Sequence, residues 1–554
     1  TADKVRQGVQ QAAAGGYSID NSLRFNDNDS ARLTRANSSN GNRKTWSYSF
    51  WVKRGNVTGT QILFSWNPDG GVPAFVFDSS YFFRADFDGS GKGVRTTALF
   101  RDPSAWYHIV IAADSTQSTA SDRLKLYVNG SQVTDFDYES YPSQNADSNR
   151  INSTSTCNIS GHPDGSKHYD GYLAEVNFVD GQALTPSDFG ETGTYGEWKP
   201  IAYAGSYGTN GFYLDFSNSG SLGTDASSNT NNWTVNNLAA TDQMLDSPTN
   251  NFCTLNPLYI AHTSYGYNNY AEGNLRVYPT DNWASQGTLV PAELPSGKAY
   301  FEVYIDNVGS TTRVGVYKQS AFDWQNEVTY QSNGNKLLSG SHTSYGATYT
   351  TGDIIGVAVN IDSSSITFYK NNSSQGSITL PSLSEGYAVG VSSAGSGSYS
   401  IIANFGQDSS FAGNKTAQGN QDSNSIGDFY YEPPTDFLAL CTSNLPDPAV
   451  IPSEHFNTVL YTGDGSSSQA QTGVGFQPDL VWVKKRSATD DHCLVDAVRG
   501  VNNYLKSNVT AAEGTSSSTI NALSTDGFTV GASGIVGDNG ATYVAWNWKA
   551  GGTG

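Results

Sequence analysis

Seven histidines and a few closely spaced acids are the residues of this chain that could carry acid–base or metal chemistry. In SGHPDGSKHYDG, His162 and His168 stand six apart, with Asp164 and Asp170 beside them. Imidazoles and carboxylates gathered in this way can ligate a metal ion, and a loop at the rim of a sheet is a suitable place for one. The alternative for the same stretch is a solvated loop. In DFDGSGKG, Asp86 and Asp88 are next-but-one neighbours, which on a strand would point to one side. Two carboxylates held about 5–9 Å apart can cleave glycans, and Glu175, further along, is a third acid to weigh with them. The same DxDG also resembles part of a calcium loop but lacks the downstream bidentate glutamate, so an exposed hairpin tip is the simpler reading. His108, inside AWYHIVIA, fits a hydrogen-bonded histidine of a strand. His455 and His492 have no recognisable nucleophile partner, and no GxSxG occurs. The expectation is therefore no catalytic residue, no enzyme and no cofactor; the local metal signals are Asp86 and Asp88 for calcium, and His162, Asp164 and His168 in the loop.

Aromatic residues carry a stronger signal. Sugar rings stack on exposed Trp and Tyr, whose faces also bind well at low entropic cost. TSYGYNNYAEGNLRVYPTDNW sets Tyr265, Tyr267, Tyr270, Tyr278 and Trp283 among small polar residues, the composition of an adaptable binding loop. A surface packed against a neighbouring subunit would have the same composition. DYESYPSQ, with Tyr138 and Tyr141, is a shorter cluster of the same kind.

The elements that must hold these residues are strands. Of 554 residues, 37% are hydrophobic, only 15% are charged, 12% are aromatic and 58 are glycine, a mix suited to short strands and tight turns. The length calls for three or four domains. A formal net charge of -20 argues against a phosphate-binding surface, so no nucleic acid is expected as partner. No apolar run reaches the ~18 residues of a membrane span, so membrane insertion is not expected either. Cys157, Cys253, Cys441 and Cys493 are far apart with no CxxC spacing. That argues against a metal cluster and excludes a dense disulfide scaffold; Cys253 and Cys441 could pair, but free buried thiols are expected. Residues 1–16 lack the order of a signal peptide and read as a short helix ending at Gly15-Gly16.

Residues 17–201 read as short strands at ~8–12-residue spacing, the pattern of a two-sheet sandwich. WSYSFWVKR places Trp46, Tyr48, Phe50 and Val52 on one face and Ser47, Ser49, Trp51 and Lys53 on the other, and Asn129-Gly130 marks a tight hairpin. Residues 202–257, rich in Gly and Asn but carrying Phe212, Tyr213, Leu214, Phe216 and Trp233, read as an ordered strap. Residues 258–410 form a second strand block. Within it GDIIGVAVNIDSSSITFYKNN is two apolar strands and a polar turn, a piece of sandwich wall rather than a cleft. Residues 411–454 are a linker or strap and 455–554 a third β-rich module. SPTNNFCTLNP near residue 250 is echoed by PPTDFLALCTSNLPDP near residue 440, which suggests two equivalent straps, each stapling successive domains, unless the echo is coincidence. The fold class is thus all-β, serial antiparallel sandwiches with a short N-terminal helix.

Three resemblances accompany this reading. SFWVK, AWYHIVIA, LKLYVNGSQV and GYLAEVNFVDGQALTPSDF together resemble a laminin-G or concanavalin-A-like jelly roll. That resemblance implies glycan or protein binding, sometimes with calcium at one rim, although some members cleave glycans. GKAYFEVYI, RVGVY, GDIIGVAVNIDSSSITFYKNN, YAVGVSS and ANFGQ resemble a SPRY-type sandwich, which implies protein contacts through end loops. The last hundred residues, with the YGTNGFYLDF and TNNF joints, resemble virion proteins of marine and cyanobacterial tailed phages. The last resemblance implies a structural virion protein, a fibre or appendage on the particle exterior, associated with other virion proteins and forming a homotrimer. Its target would be a host-surface glycan or protein. A decoration protein of capsid or tail and a glycan depolymerase are the other two readings.

Overall fold

The computed structural model describes residues 16–66, 75–162, 164–258, 268–279, 285–290, 297–318, 327–381, 387–393, 399–446 and 450–550. The expected N-terminal helix, together with Tyr265, Tyr267 and Trp283, lies outside them. Among the described residues the fold is all-β, and helix is confined to three-residue 3-10 turns. No helix is long and apolar enough to cross a membrane among those residues. The chain divides into two compact units, Thr1–Thr192 with Trp198–Pro446, and Gly193–Glu197 with Asp447–Gly554.

The first unit contains two sandwiches. In the first, strands β1 (Ser22–Phe25), β2 (Thr45–Arg54), β3 (Trp106–Asp114) and β4 (Gly171–Asp180) form the middle of an eight-stranded sheet in the order β3-β2-β4-β1. Strand β5 (Phe212–Leu214), from the strap, adds to the second half of β4. A second eight-stranded sheet covers one face. The period-two reading of β2 holds: Trp46, Tyr48, Phe50 and Val52 lie in the core between the sheets. Asn129 and Gly130, both at positive φ, turn the expected hairpin. The strap crosses both sheets as strands Phe212–Leu214 and Thr234–Asn236, with buried Trp233 edge-on to Phe212 at 5.0 Å.

In the second sandwich, β6 (Lys298–Asn307), β7 (Ile354–Asn360), β8 (Ser365–Lys370) and β9 (Ser400–Asn404) make the centre of a seven-stranded sheet, order β9-β6-β7-β8. The β7–β8 hairpin is the expected wall: Ile354, Ile355, Val357, Val359, Ile366 and Phe368 are all buried.

Two features differ from modules strung in series. The outer face of the β2–β4 sheet is itself apolar, and Trp51, Trp106, Tyr172 and Ala174 join one continuous core with Phe301, Val303 and Ile401 of the second sandwich. The buried cations of this joint are paired with acids. Arg24, 1% exposed, meets Asp242, Glu272 and Asp408 at 3.1–3.3 Å. Lys53 donates to Asp246, Asn251 and the Phe252 carbonyl at 2.6–2.9 Å. The second difference concerns the two echoed segments, which pair with each other rather than acting as separate staples. Phe252 and Cys441 form an antiparallel bridge, the Cys253 amide donates to the Leu440 carbonyl, and the Thr442 amide donates to the Asn251 carbonyl. The similar residues thus form a two-stranded clasp, whose Leu438 backbone continues onto β6 at Tyr300. The four cysteines are free thiols.

The second unit has a four-stranded sheet of β10 (Phe456–Thr462), β11 (Leu480–Lys485), β12 (Cys493–Asp496) and β13 (Thr542–Trp548), order β10-β13-β11-β12. Its inner face buries Val481, Val483, Tyr543 and Ala545 with Phe528 and Val530. Its outer face carries Trp482, Trp546 and Trp548, with Phe456 and Leu460 41% and 61% exposed.

Candidate functional site

Glu175 is placed by a fault in β4. Ala174 pairs with Trp51 of β2, but the next pair is Asn177 with Ser49, so the strand bulges over residues 175–176. In a regular strand Glu175 would share the face of Leu173 and enter the core. The extra residue lets Val176 take that place, and Val176 and Phe178 complete the core instead. The other edge of β4 changes partner at the same point, from β1 along residues 171–173 to β5 along residues 176–178. Glu175 sits in this gap with φ +50, a conformation that non-glycine residues adopt only under constraint.

The flanking strands bring tyrosines to it. The Tyr17 hydroxyl donates to Glu175 Oε2 at 3.0 Å, and the Tyr213 hydroxyl, from β5, donates to Oε1 at 2.5 Å. The two hydroxyl oxygens are 3.0 Å apart. Tyr207 donates to Asn177 Oδ1 at 2.8 Å, its ring parallel to that of Tyr213 at 6.3 Å and edge-on to Tyr203 at 5.1 Å. These groups surround a half-open pocket of about 560 Å³, with Asn229 and the small residues of 205–208 and 226–228 at its lip. The lip is pinned. Asp225 accepts from the Tyr213, Ser227 and Asn231 amides at 2.7–2.9 Å. Asn229 Nδ2 donates to the Gly208 and Gly211 carbonyls. Gly208 has φ +72, and a Cβ there would lie 2.2 Å from the Asp180 carbonyl oxygen.

Burial pushes the Glu175 carboxyl up to about 7; the hydrogen bonds from Tyr213 and Tyr17 oppose that rise, and Asp215 adds to it. Burial and the neighbouring carboxylate hold both tyrosine hydroxyls well above the usual phenol range. Among the described residues, no lysine, arginine or histidine lines the pocket. Its chemistry is that of aromatic faces, hydroxyl oxygens and one buried acid.

Three stretches match known families. Residues 25–189 match the concanavalin A-like lectin/glucanases superfamily, residues 298–406 the SPRY domain, and residues 451–554 a domain of unknown function, DUF7483. No curated protein matches the chain. Among solved structures, a human SPRY domain is similar at 22% identity over 23% of this chain and 90% of that one, TM-score 0.20. A heptameric SAP-like pentraxin from Limulus polyphemus is similar at 16% over 31% and 80%, TM-score 0.23. A candidate carbohydrate-binding protein from Bacteroides ovatus is similar at 15% over 40% and 59%, TM-score 0.28.

Of the described residues singled out in the sequence for chemistry or binding, Glu175 lines this pocket and the others do not. Within the concanavalin-A-like sandwich, Asp86 is buried at the end of its strand and accepts from Arg84 Nε at 2.8 Å. Asp88 has left the strand and caps the turn through the Ser90 amide and hydroxyl, so the two do not share a face. His162 Nδ1 lies 2.8 Å from Asp164, while His168 turns to the Gly165 carbonyl and Asp170 is buried against the Asn56 amide. No three His, Cys, Asp or Glu side chains gather in metal-holding geometry among the described residues. His108 is enclosed between Trp51 and Trp198; Trp198 Nε1 donates to its Nδ1 at 2.9 Å, which leaves Nε2–H for Ser49 Oγ at 2.8 Å. Tyr138 is 41% exposed and donates to the Gly91 carbonyl, and Tyr141 bonds Glu139. Tyr270 packs on the shared core, and Tyr278 accepts from Asn28 with Arg276 over its ring. Sequence reasoning noted Glu175 as an acid but missed Tyr17, Tyr203 and Tyr207, and took Tyr213 for packing. The tyrosines of YAGSYGTNGFYLDF, spaced four and six apart, were the available signal.

Proposed function

We propose that this chain is a non-enzymatic structural subunit of a tailed-phage virion, an exterior appendage that contacts a glycan on the host surface through the tyrosine pocket of its first sandwich. The observation that carries the reading is the pocket itself: four tyrosines and a recessed acid behind a lip of serine, glycine and asparagine, the composition of a site that stacks sugars and bonds their hydroxyls. The family of the first sandwich supports glycan contact. The pocket lining supplies one carboxylate where glycoside cleavage uses two, which supports binding without turnover. The virion setting rests on the likeness of the third module and the joints to phage proteins.

The test is direct. Purified protein should bind host cells, and Tyr207→Ala with Tyr213→Ala should reduce that binding about tenfold or more while circular dichroism stays that of a β protein. Incubation with host polysaccharide should leave its chain length unchanged. Antibody labelling should decorate the particle exterior. Host binding unaffected by the double variant would reject the pocket as the contact.

One observation favours a second reading. The outer sheet face with Phe456, Leu460, Trp482, Trp546 and Trp548 is more apolar than a surface facing only water requires, and fits contact with another virion subunit. Under that reading the second unit serves assembly.

A further inference from the structure

Resting on the pocket's role as a glycan site, we infer that it selects a glycan bearing an ammonium group, such as a de-acetylated amino sugar. The lining holds four electron-rich tyrosine rings and a buried carboxylate, and among the described residues no basic side chain lines it. Cations bind over aromatic faces, most strongly where water is excluded. Glu175 is 8% exposed, and its hydrogen-bond donors are two hydroxyls. The charged group that acts on it is another acid, Asp215, so its charge is uncompensated by the protein.

The hydroxyl geometry points the same way. Three contacts, from Tyr17 and Tyr213 to the carboxylate and between the two hydroxyls at 3.0 Å with either as donor, share two hydroxyl protons when the acid is ionised, so one contact is then left without a proton. An N–H donor placed there satisfies both oxygens and pairs with the acid beneath. A neutral hydroxyl supplies one proton and no charge. The bulge and positive φ that set Glu175 here have a cost that a purely packing residue would not need. The groups facing Glu175 are Tyr17, Tyr207 and Tyr213, with Asp215 nearby, and none carries positive charge. Burial keeps the acid partly protonated near neutrality, so an arriving ammonium displaces that proton. The net charge of -20 concentrates cations at the surface before they reach the pocket.

Calorimetry on the full chain at pH 7 separates the possibilities, with matched chito-oligosaccharides, fully acetylated and fully de-acetylated, as probes. The expected result is tighter binding of the de-acetylated oligomer by about tenfold or more, with proton release seen as a buffer-dependent heat. Glu175→Gln should remove both the preference and the proton release, and Tyr207→Leu should remove the preference even if the first variant folds poorly. Equal affinity for the two oligomers would overturn the ammonium inference and leave the glycan reading standing. De-acetylated oligomer binding that survives both variants would mark general charge attraction and also overturn it. Binding of neither oligomer, with host-cell binding intact in Tyr207→Leu, would remove the pocket reading itself.

Discussion

At the scale of single residues, the unusual groups are acids held in apolar places. Burial raises Glu175 to about 7, and Asp86 and Glu302 likewise. Glu302 is the best satisfied, accepting from the Tyr430 and Tyr431 amides at 2.8 Å and from Tyr300 and Asn404 at 3.2 Å. For Glu175 the folded value lies above the ordinary 4.5. Between those two values the folded chain keeps a proton that the unfolded chain has lost. Stability must therefore fall as pH rises through the window from about 4.5 to about 7, then stay low. The three acids share that slope, so the difference between proteins is the informative quantity. Glu175→Gln should flatten the decline in melting temperature between pH 4.5 and 8 relative to the unaltered chain. An identical slope would place Glu175 outside this linkage. At most about 3 kcal/mol is available from the one group.

At the scale of elements, much of the fold was readable and the pocket was not. Period-two patterning in WSYSFWVKR assigned each β2 side chain to its observed face, and Asn129-Gly130 set its hairpin. What the pattern could not give was that both faces are covered, so Lys53 and Trp51 look surface-bound by alternation yet are buried. The pocket needs a bulge, a change of strand partner and tyrosines 158 and 38 positions from Glu175, none of which leaves a local mark. Asp86 and Asp88 failed to align because the strand ends between them. The lip is the element most open to test. Gly208→Ala adds a methyl against the Asp180 carbonyl as well as an unfavourable φ, whereas Gly165→Ala, at φ +83, meets nothing within 4 Å. The first should lower stability by about 1–2 kcal/mol more than the second in chemical denaturation and weaken ligand binding. Equal costs would mean the lip yields freely.

At the scale of the whole molecule, the first two sandwiches share one apolar core on either side of the stretch that the sequence marks as a strap. Arg24, Trp51, Trp106 and Tyr172 belong to the first sandwich in sequence but complete their contacts with residues beyond 240. Residues 17–201 expressed alone should aggregate or bind hydrophobic dye, while residues 16–446 should melt in one sharp calorimetric transition; two well-separated transitions from residues 16–446 would contradict a shared core. The clasp at Phe252–Cys441 adds a mechanical consequence. A pull applied at Pro446 first loads the hydrogen bonds to Asn251 and Cys253, and from there the Lys53 ion pair of Asp246 carries it into β2. The clasp is also bonded to Lys298, Tyr300 and Phe405 through Leu438 and Leu440, so load entering there is divided between β2 and the second sandwich rather than borne by either sheet alone.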